Sequence, residues 1–213
     1  MGKSARVYAV RAGRAVGIFD TWAAARAAVD GFPGAEHRSF ADRGAADAWL
    51  RRAAPAGAAI VVYTDGSHVK GTARRGIGAY CAHGGREYRM RRDCAGLDAA
   101  ASNPTLELLA AVDVLRSVPA AAAPAAIEIA ADYIGVARYV NGEWTPKAGP
   151  GPFAAAARAL ADVLARLRAR GFVVSATHVR AHSGVPGNEE ADRLAKAGAA
   201  GADASDFAAL FGE

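Results

Sequence analysis

Residues 60–67 read IVVYTDGS, and this stretch decides how the larger part of the chain folds. The continuous apolar run from Ile60 to Thr64 predicts a buried β-strand. Residues 77–81 and 86–91 predict two more strands, and the glycine pair between them is typical of a tight hairpin turn. We therefore expect the three strands to pair as an antiparallel meander.

The segments that follow add helices and two further strands. Asn103 before Pro104 predicts the start of a helix that extends to about Arg116, with Asn103 as its cap. Residues 127–131 and 173–179 predict strands, 134–140 a short helix, and 153–170 an amphipathic helix. Asn188 is expected to cap a last helix over 189–197. This order predicts a mixed α/β fold, with a five-stranded sheet and flanking helices.

The first quarter of the chain predicts a separate small α+β module. Residues 7–11, 15–19 and 36–40 predict a three-stranded sheet, with a turn at Gly13-Arg14, and residues 22–29 and 44–52 predict two helices. Asp20 or Thr21 would cap the first helix and Asp42 the second. We expect a domain over 1–52, a linker over 53–59 (AAPAGAA), a second domain over 60–200 and a tail over 201–213, with one further turn near 207–211.

Positive charge is concentrated in that first module. The 213 residues carry 26 Lys and Arg against 21 Asp and Glu, a formal net charge of +5. Residues 1–52 hold nine basic and five acidic residues, and the remaining 161 hold 17 and 16, so the two parts have net charges of +4 and +1. Such a distribution indicates polyanion binding by the first module, and chance is the alternative for so small an excess.

Composition excludes several classes of protein. Two cysteines, Cys81 and Cys94, are too few for a disulfide framework or a four-cysteine zinc site. The first ten residues lack the apolar segment of a signal peptide, and no apolar run approaches the roughly 18 residues of a membrane span. We expect a cytoplasmic protein that does not enter the membrane, and the sequence indicates no obligate protein partner.

Four acidic residues lie where predicted elements begin or end, or beside apolar neighbours: Asp65, Glu107, Asp132 and Asp192. Each has a simpler interpretation taken alone. Turn chemistry accounts for Asp65, the helix dipole for Glu107, helix capping for Asp132, and an ion pair with Lys196 for Asp192.

Taken together, the four carboxylates indicate a site for cations. Strand ends and a helix start can converge in an α/β sheet, and like charges ~4 Å apart repel by several kcal/mol at an effective dielectric of ~20. Such a cluster persists only by binding protons or cations, and oxygen ligands favour Mg²⁺ or Mn²⁺. Two such ions form a clamp for phosphodiester cleavage. His182, in a loop rich in Gly and Pro, is either a proton carrier or an ordinary surface histidine.

The second domain resembles type 1 ribonuclease H over about residues 60–200. The matching motifs are TDGS at 64–67, RRGIGAYC, SNPTLELLAA with Glu107, ADYIGV with Asp132, and HVRAHSGVPGNEEADRLA with His182 and Asp192. The resemblance implies a ribonuclease H-like α/β fold. It also implies endonucleolytic cleavage of the RNA strand of RNA/DNA hybrids, which leaves 3′-hydroxyl and 5′-phosphate ends.

The same resemblance implies a role for each site residue. Asp65 would bridge two Mg²⁺ ions, for which Mn²⁺ could substitute. Glu107 and Asp132 would hold the ion on the leaving side, and Asp192 the ion that activates water. His182 would assist proton transfer and product release.

Nucleic-acid contacts are also implied. Asn103 matches a family position that contacts RNA 2′-hydroxyls, and Ser102 beside it is included in the predicted contact. Lys70 lies near the usual place of an RNA-contacting asparagine. The segment NGEWTPKAGPG replaces the long basic helix of some relatives, which leaves Trp144 and Lys147 as candidates for the DNA strand.

Residues 5–51 resemble the small N-terminal hybrid-binding domain of many of these enzymes, which is also known from a viral inclusion-body protein (viroplasmin). Trp22 and Tyr8 match family aromatics, of which the one on the first helix packs on DNA sugars. His37 stands where phenylalanine is usual, and the basic residue Arg38 follows it. The domain would bind RNA/DNA hybrid, with double-stranded RNA as a second ligand. Packing of Trp22 in the core is the alternative for that residue.

Two other functions remain open from the sequence. One is a hybrid-binding or double-stranded-RNA-binding protein without catalysis, and the other is a nuclease or integrase of the same fold that acts on DNA. The four acids argue against the first and Asn103 with the His182 loop against the second.

Overall fold

The computed structural model describes residues 6–12, 17–31, 35–51, 59–182 and 184–211. Contacts between residues divide the chain into two units, Met1–Ala56 and Gly57–Glu213. The turn predicted at Gly13-Arg14, the start of the strand predicted over 15–19, and nearly all of the predicted linker lie outside the described residues.

The first unit contains the predicted three strands and two helices. Its elements are β1 (Val7–Ala12), β2 (Gly17–Phe19), α1 (Trp22–Val29), β3 (Glu36–Phe40) and α2 (Arg43–Arg51). Both outer strands pair antiparallel with β1, in the order β2-β1-β3. The small core beneath α1 consists of Val10, Ala25, Ala28 and Val29.

Side-chain caps start both helices of this unit. Thr21 Oγ1 accepts a hydrogen bond from the Ala24 backbone N–H, at 3.3 Å. Asp42 Oδ1 accepts one from the Ala45 N–H, at 2.8 Å. Asp20, the other candidate for the first cap, instead forms an ion pair with Arg43 at 2.7 Å.

The second unit is a mixed sheet with helices packed against it. Its elements are β4 (Ile60–His68), β5 (Arg75–His83), β6 (Arg86–Asp93), α3 (Asn103–Arg116), β7 (Ala126–Ala131), α4 (Ile134–Val140), α5 (Pro152–Ala169), β8 (Val173–His178), α6 (Pro186–Ala199), β9 (Ala204–Ser205) and α7 (Phe207–Leu210). The strand order is β8-β7-β4-β5-β6-β9. Strands β4, β5, β6 and β9 pair antiparallel, whereas β7 runs parallel to both β4 and β8. The predicted mixed sheet is confirmed.

The predicted number of five strands is wrong, because residues of the tail add a sixth. Ala204 and Ser205 pair with β6, and the Asp206 carboxylate accepts a hydrogen bond from the Arg89 N–H at 2.6 Å. Phe207, which follows, is fully buried in the main core. A two-residue strand has no alternation of polar and apolar residues, so the sequence pattern could not predict it.

Two helices begin earlier than predicted, because each predicted cap lies inside its helix. Helix α3 starts at Asn103, so Ser102 occupies the cap position, although its side chain makes no capping hydrogen bond. Helix α6 starts at Pro186, so Asn188 lies inside the first turn and is buried. In both helices a proline stands at the first or second position, where its missing N–H costs no helical hydrogen bond.

Glycines in β5 allow α6 to pack directly on the sheet. A Cβ atom on Gly76 would lie 2.1 Å from the Ala199 N, and one on Gly78 would lie 2.3 Å from the Ala191 O. This contact fixes the helix that carries Asp192 against the sheet. In the part of the chain that the structure describes, no helix combines the length and apolar character needed to cross a bilayer.

Candidate active site

Asp65 and Glu107 meet where α3 crosses β4. Asp65 is 6% exposed, and Glu107, in the first turns of α3, is 2% exposed. Gly66 lies between the two elements, and a Cβ atom there would approach the Glu107 backbone N to 2.7 Å. The missing side chain therefore lets the helix bring Glu107 beside Asp65. Gly66 belongs to β4, which continues to His68, so turn chemistry does not account for Asp65.

Asp132 joins the pair from the neighbouring parallel strand. Thr64 of β4 is in register with Ala131 of β7. Asp65 and Asp132 directly follow these paired residues, so both lie at the carboxyl end of the β4–β7 pairing. Carboxylate oxygens of Asp65, Glu107 and Asp132 all lie within 4.8 Å of one another. The structure thus brings together three of the four predicted acids in one tight group.

Asp192 and His182 form a second group on the same cleft. Ligand atoms of His182, Glu189 and Asp192 lie within 4.8 Å of one another. His182 is exposed and has a φ of 50°, an uncommon conformation for a residue other than glycine. Both groups open into a cleft of about 430 Å³, whose lining includes Asp65, Asp132, His182 and Asp192.

Burial and mutual repulsion make the three clustered acids hard to ionise. Burial, followed by the charge of Asp132, raises the pKa of Asp65 to about 7. Burial and the charge of Asp65 raise the pKa of Glu107 well above its ordinary value. Burial also raises the pKa of Asp132, whereas the nearby His182 opposes that shift. Such shifts are the expected cost of burying like charges together without a cation.

The site fits a divalent cation in its donor set and in its unpaired atoms. Among the described residues, none of Asp65, Glu107 and Asp132 forms an ion pair with a lysine or arginine, and Glu107 Oε2 is buried without a hydrogen-bond partner. Closely spaced carboxylate oxygens are the ligands that Mg²⁺ and Mn²⁺ prefer. Asp192 differs, because Lys196 Nζ lies 2.6 Å from its Oδ2, as in the ion pair that was its alternative interpretation.

The predicted nucleic-acid contacts of the second unit fall in two places. Lys70 and Asn103 line the cleft, and Ser102 is exposed next to Asn103. Trp144 does not line the cleft but borders a separate hollow of about 200 Å³. The Arg138 guanidinium stacks 4.9 Å from the centre of its ring. Lys147, on the same segment, is exposed.

Three predicted contact residues of the first unit form a row of rings. The Trp22 ring centre lies 5.5 Å from that of Tyr8 and 5.2 Å from that of His37. Trp22 is 42% exposed, so it does not occupy the core, which was its alternative placement. Arg38 points elsewhere, with its guanidinium 5.6 Å from the centre of the Phe40 ring. The row presents an exposed aromatic surface.

Sequence reasoning missed several residues beside the acids. His178 Nε2 lies 2.9 Å from the Asp132 carbonyl oxygen, and Glu189 belongs to the group with His182. Ser67 also lines the cleft. Two periodicities could have found some of these residues. Ser67 lies two positions after Asp65 on a strand, and Glu189 lies three positions before Asp192 on a helix.

Two protein-family models match this chain. The model described as the ribonuclease H1 N-terminal domain matches residues 6–50, and the RNase H model matches residues 57–200, which is more than half of the chain. The chain belongs to the ribonuclease H family. It is an enzyme of that family, which cleaves the RNA strand of RNA/DNA hybrids. The match favours catalysis on hybrids over both alternative functions.

Individual relatives of this ribonuclease H are distant in sequence. Human ribonuclease H1 is 26% identical over 273 residues, which cover 90% of this chain and 88% of the human protein. The crystal structure of RNase H1 from the halophilic archaeon Halobacterium salinarum is 21% identical, with a TM-score of 0.49, over 68% of this chain and all of that one. An N-terminal RNase H domain from Mycobacterium tuberculosis is 17% identical, with a TM-score of 0.48, over 67% of this chain and 96% of that one.

Proposed function

We propose that this ribonuclease H cuts the RNA strand by two-metal-ion hydrolysis, and that Asp65, Glu107, Asp132 and Asp192 hold the ions. The observation that carries the proposal is the group of three carboxylates within 4.8 Å, two of them buried and that of Asp132 half-buried, which includes an oxygen with no hydrogen-bond partner. Mg²⁺ is the proposed ion and Mn²⁺ a substitute. When bound, such ions supply an activated water and stabilise the leaving oxygen, which gives 5′-phosphate and 3′-hydroxyl ends.

The positions of Asp65, Asp192 and His182 indicate a different role for each of them. Asp65 lies close enough to Glu107, Asp132 and Asp192 for each of them to affect its pKa, which suits a carboxylate shared by two cations. Asp192 would contribute from α6, where Lys196 now pairs with it. His182, on the exposed loop before α6, would carry a proton between the cleft and solvent.

The proposed substrate contacts follow the edges of the cleft. Asn103, with Ser102 beside it, would read the 2′-hydroxyls of the RNA strand, which distinguish RNA from DNA. Lys70 would meet a phosphate of the RNA backbone by charge. Trp144 and Lys147 would lie along the DNA strand, on a segment outside the cleft.

We assign the first unit to hybrid binding through Tyr8, Trp22, His37 and Arg38. An exposed row of aromatic rings suits stacking against nucleic-acid sugars, and residues 1–52 carry the net charge of +4. Double-stranded RNA is the second ligand that we propose for this unit. The cytoplasmic location expected from the sequence stays a prediction, consistent with the buried free thiols of Cys81 and Cys94.

One assay tests the catalytic proposal. The full chain is incubated with labelled RNA/DNA hybrid, DNA duplex and RNA duplex, each with Mg²⁺, with Mn²⁺ and with EDTA. Cleavage of the RNA strand of the hybrid alone, dependent on the ion and leaving 5′-phosphates, is the expected result. Cleavage in EDTA would contradict the metal mechanism, and equal cutting of DNA duplex would contradict the proposed specificity.

A truncation tests the role of the first unit. Removing residues 1–56 should weaken hybrid binding and flatten its salt dependence. Without the basic residues that contact phosphates, binding releases fewer counterions from the nucleic acid. Cleavage by residues 57–213 should persist at high substrate concentration. An unchanged slope of binding against salt concentration would show that the first unit makes no phosphate contacts.

A further inference from the structure

Arg75 is a buried cation at the start of β5, outside the group of acids. It is 5% exposed, although an arginine side chain is almost never buried without partners. Its guanidinium donates from Nε to the Ala101 carbonyl at 3.1 Å and from Nη2 to the Ala99 carbonyl at 3.0 Å. A third, longer contact runs from Nη1 to the Ala73 carbonyl at 3.4 Å. The carbonyl oxygens compensate for the loss of water around the charge.

These contacts attach Arg75 to both ends of one loop. Residues 94–102 connect β6 to α3, and at the beginning of this loop the Cys94 N–H donates to the Arg75 carbonyl at 2.8 Å. At its end, the guanidinium holds the carbonyls of Ala99 and Ala101. Within the loop, Asp98 orders a turn, because its carboxylate accepts the Ala100 N–H at 2.8 Å. A single side chain and its backbone thus restrain the whole connection.

The restrained end of the loop is where the proposed RNA contacts begin. Ser102 directly follows Ala101, and Asn103 opens α3 and lines the cleft. Arg75 itself pairs across the sheet with His68, three residues after Asp65 on β4. Arg75 therefore links β4, which it pairs with through its backbone, to the residues that would read the 2′-hydroxyls, which its guanidinium holds through the loop. Such a link fixes the distance between Asn103 and the acid cluster before the substrate binds.

We propose that Arg75 is a positioning residue for RNA recognition, which holds Ser102 and Asn103 in the geometry that distinguishes RNA from DNA. The inference rests on the proposed function of Asn103. It concerns preorganisation, since a loop whose end is unrestrained would have to be ordered by the substrate itself. Loss of the guanidinium should therefore raise KM and reduce discrimination between ribose and deoxyribose, with a smaller change in kcat.

Full-length Arg75→Met, Arg75→Lys and Asn103→Ala are compared with a matched control, Arg170→Met. The Arg170 guanidinium also holds backbone carbonyls, those of Pro119, Ala120 and Ala122, but this loop does not line the cleft. KM and kcat are measured with Mg²⁺ on an all-ribose hybrid and on hybrids with single 2′-deoxy positions around the cut. Melting temperature and Mn²⁺ titration without substrate report folding and the acid cluster.

The discrimination ratio is kcat/KM on the all-ribose hybrid divided by kcat/KM on a hybrid with a 2′-deoxy position. For Arg75→Met we expect this ratio to fall about fivefold to tenfold, as for the loss of one good hydrogen bond. Arg75→Lys, which keeps the charge and some donors, should recover part of the ratio. Arg170→Met should lower only the melting temperature. Mn²⁺ binding should be unchanged in all four variants. If Arg75→Met does not fold, the discrimination ratio of Arg75→Lys tests the inference instead.

An unchanged ratio in a folded Arg75 variant would overturn the inference. A ratio that falls equally in Arg170→Met would assign the effect to general stability and would overturn it as well. Loss of discrimination in Arg75→Met but not in Asn103→Ala would also overturn the inference, because it requires Asn103 to read the 2′-hydroxyls. A chain that cuts no hybrid at all, with normal Mn²⁺ binding, would instead mark the failure of the proposed function.

Discussion

Gly66 lies so close to Leu106 that a Cβ atom on the glycine would stand 2.6 Å from the Leu106 Cβ. Real Cβ atoms do not approach other carbons to that distance, so α3 can cross β4 here only over a glycine. The requirement is one of space, since Gly66 is part of a regular strand. Asp65 precedes this contact and Glu107 follows it, so the close approach brings the two acids together.

Replacing Gly66 with alanine should therefore disturb the site through packing. The added methyl group must push α3 away from β4, which costs roughly 1–3 kcal/mol of folding stability for an overpacked core. We expect slower hybrid cleavage and weaker Mn²⁺ binding, because Glu107 moves away from Asp65. Urea unfolding and metal titration measure the two effects. Gly149→Ala, where nothing lies within 4 Å of the new methyl group, is the control, and equal effects in both variants would refute the argument.

Asp65→Asn should abolish turnover while the fold persists. The amide keeps the shape of the side chain but removes the charge that would be shared between two cations. We expect a loss on the order of 10³-fold, similar to removing one strong electrostatic contact of a transition state. Hybrid cleavage measures the loss, and circular dichroism checks the fold. Asp162→Asn, on the exposed face of α5, should retain full activity. Normal turnover by Asp65→Asn would reject the proposed centre.

Stability without metal should fall as the pH rises. Because the pKa of Asp65 increases from 3.8 to about 7, the folded protein binds a proton that the unfolded chain has already released. Asp65 therefore contributes its full stabilisation below pH 3.8, and this is lost as the pH rises through about 7. Glu107 acts in the same direction, since its pKa is also raised.

The measurement is the melting temperature in EDTA between about pH 5 and about pH 8, for the natural chain and for Asp65→Asn. The advantage of the asparagine variant should grow with pH, since it never acquires the buried charge. Mg²⁺ should reduce this advantage at the higher pH, because the natural chain gains more from binding it than the variant does. A difference between the two proteins that stays constant with pH would contradict the assigned origin of the shift.

The aromatic row of the first unit should contribute to hybrid affinity. Trp22→Ala removes the central ring between Tyr8 and His37, and we expect binding to weaken about fivefold to a hundredfold, the range for losing one stacked base. His37→Phe should strengthen binding, because a larger apolar face replaces the imidazole. Fluorescence anisotropy of a labelled hybrid in EDTA measures both variants.

Salt dependence separates stacking from charge in that experiment. Arg38→Ala should lower the slope of log affinity against log salt by about one, as for one phosphate contact. Trp22→Ala should leave this slope unchanged. A reduced slope for Trp22→Ala, or an unchanged slope for Arg38→Ala, would contradict the roles assigned to these two residues.

Much of the fold could be read from local patterns. The amphipathic helix α5, the meander β4-β5-β6 and the caps at Thr21 and Asp42 depend on residues close together in the chain, so periodicity and turn chemistry predict them. The predicted starts of α3 and α6 were late, because α3 includes Asn103 as its first residue and α6 begins at Pro186, before Asn188. The sixth strand was missed because its pairing with β6 is wholly non-local.

For the site, the sequence alone determined which residue types are available and near which element ends they stand. The four acids, His182 and Asn103 could be named in advance for that reason. Only the tertiary structure decided the distances: three acids form one group, Asp192 stands apart with Lys196, and Trp144 lies outside the cleft. Parallel register between β4 and β7 and the packing of α3 over Gly66 produce this arrangement. Such contacts join residues that are tens of positions apart, and no local pattern of side chains specifies them.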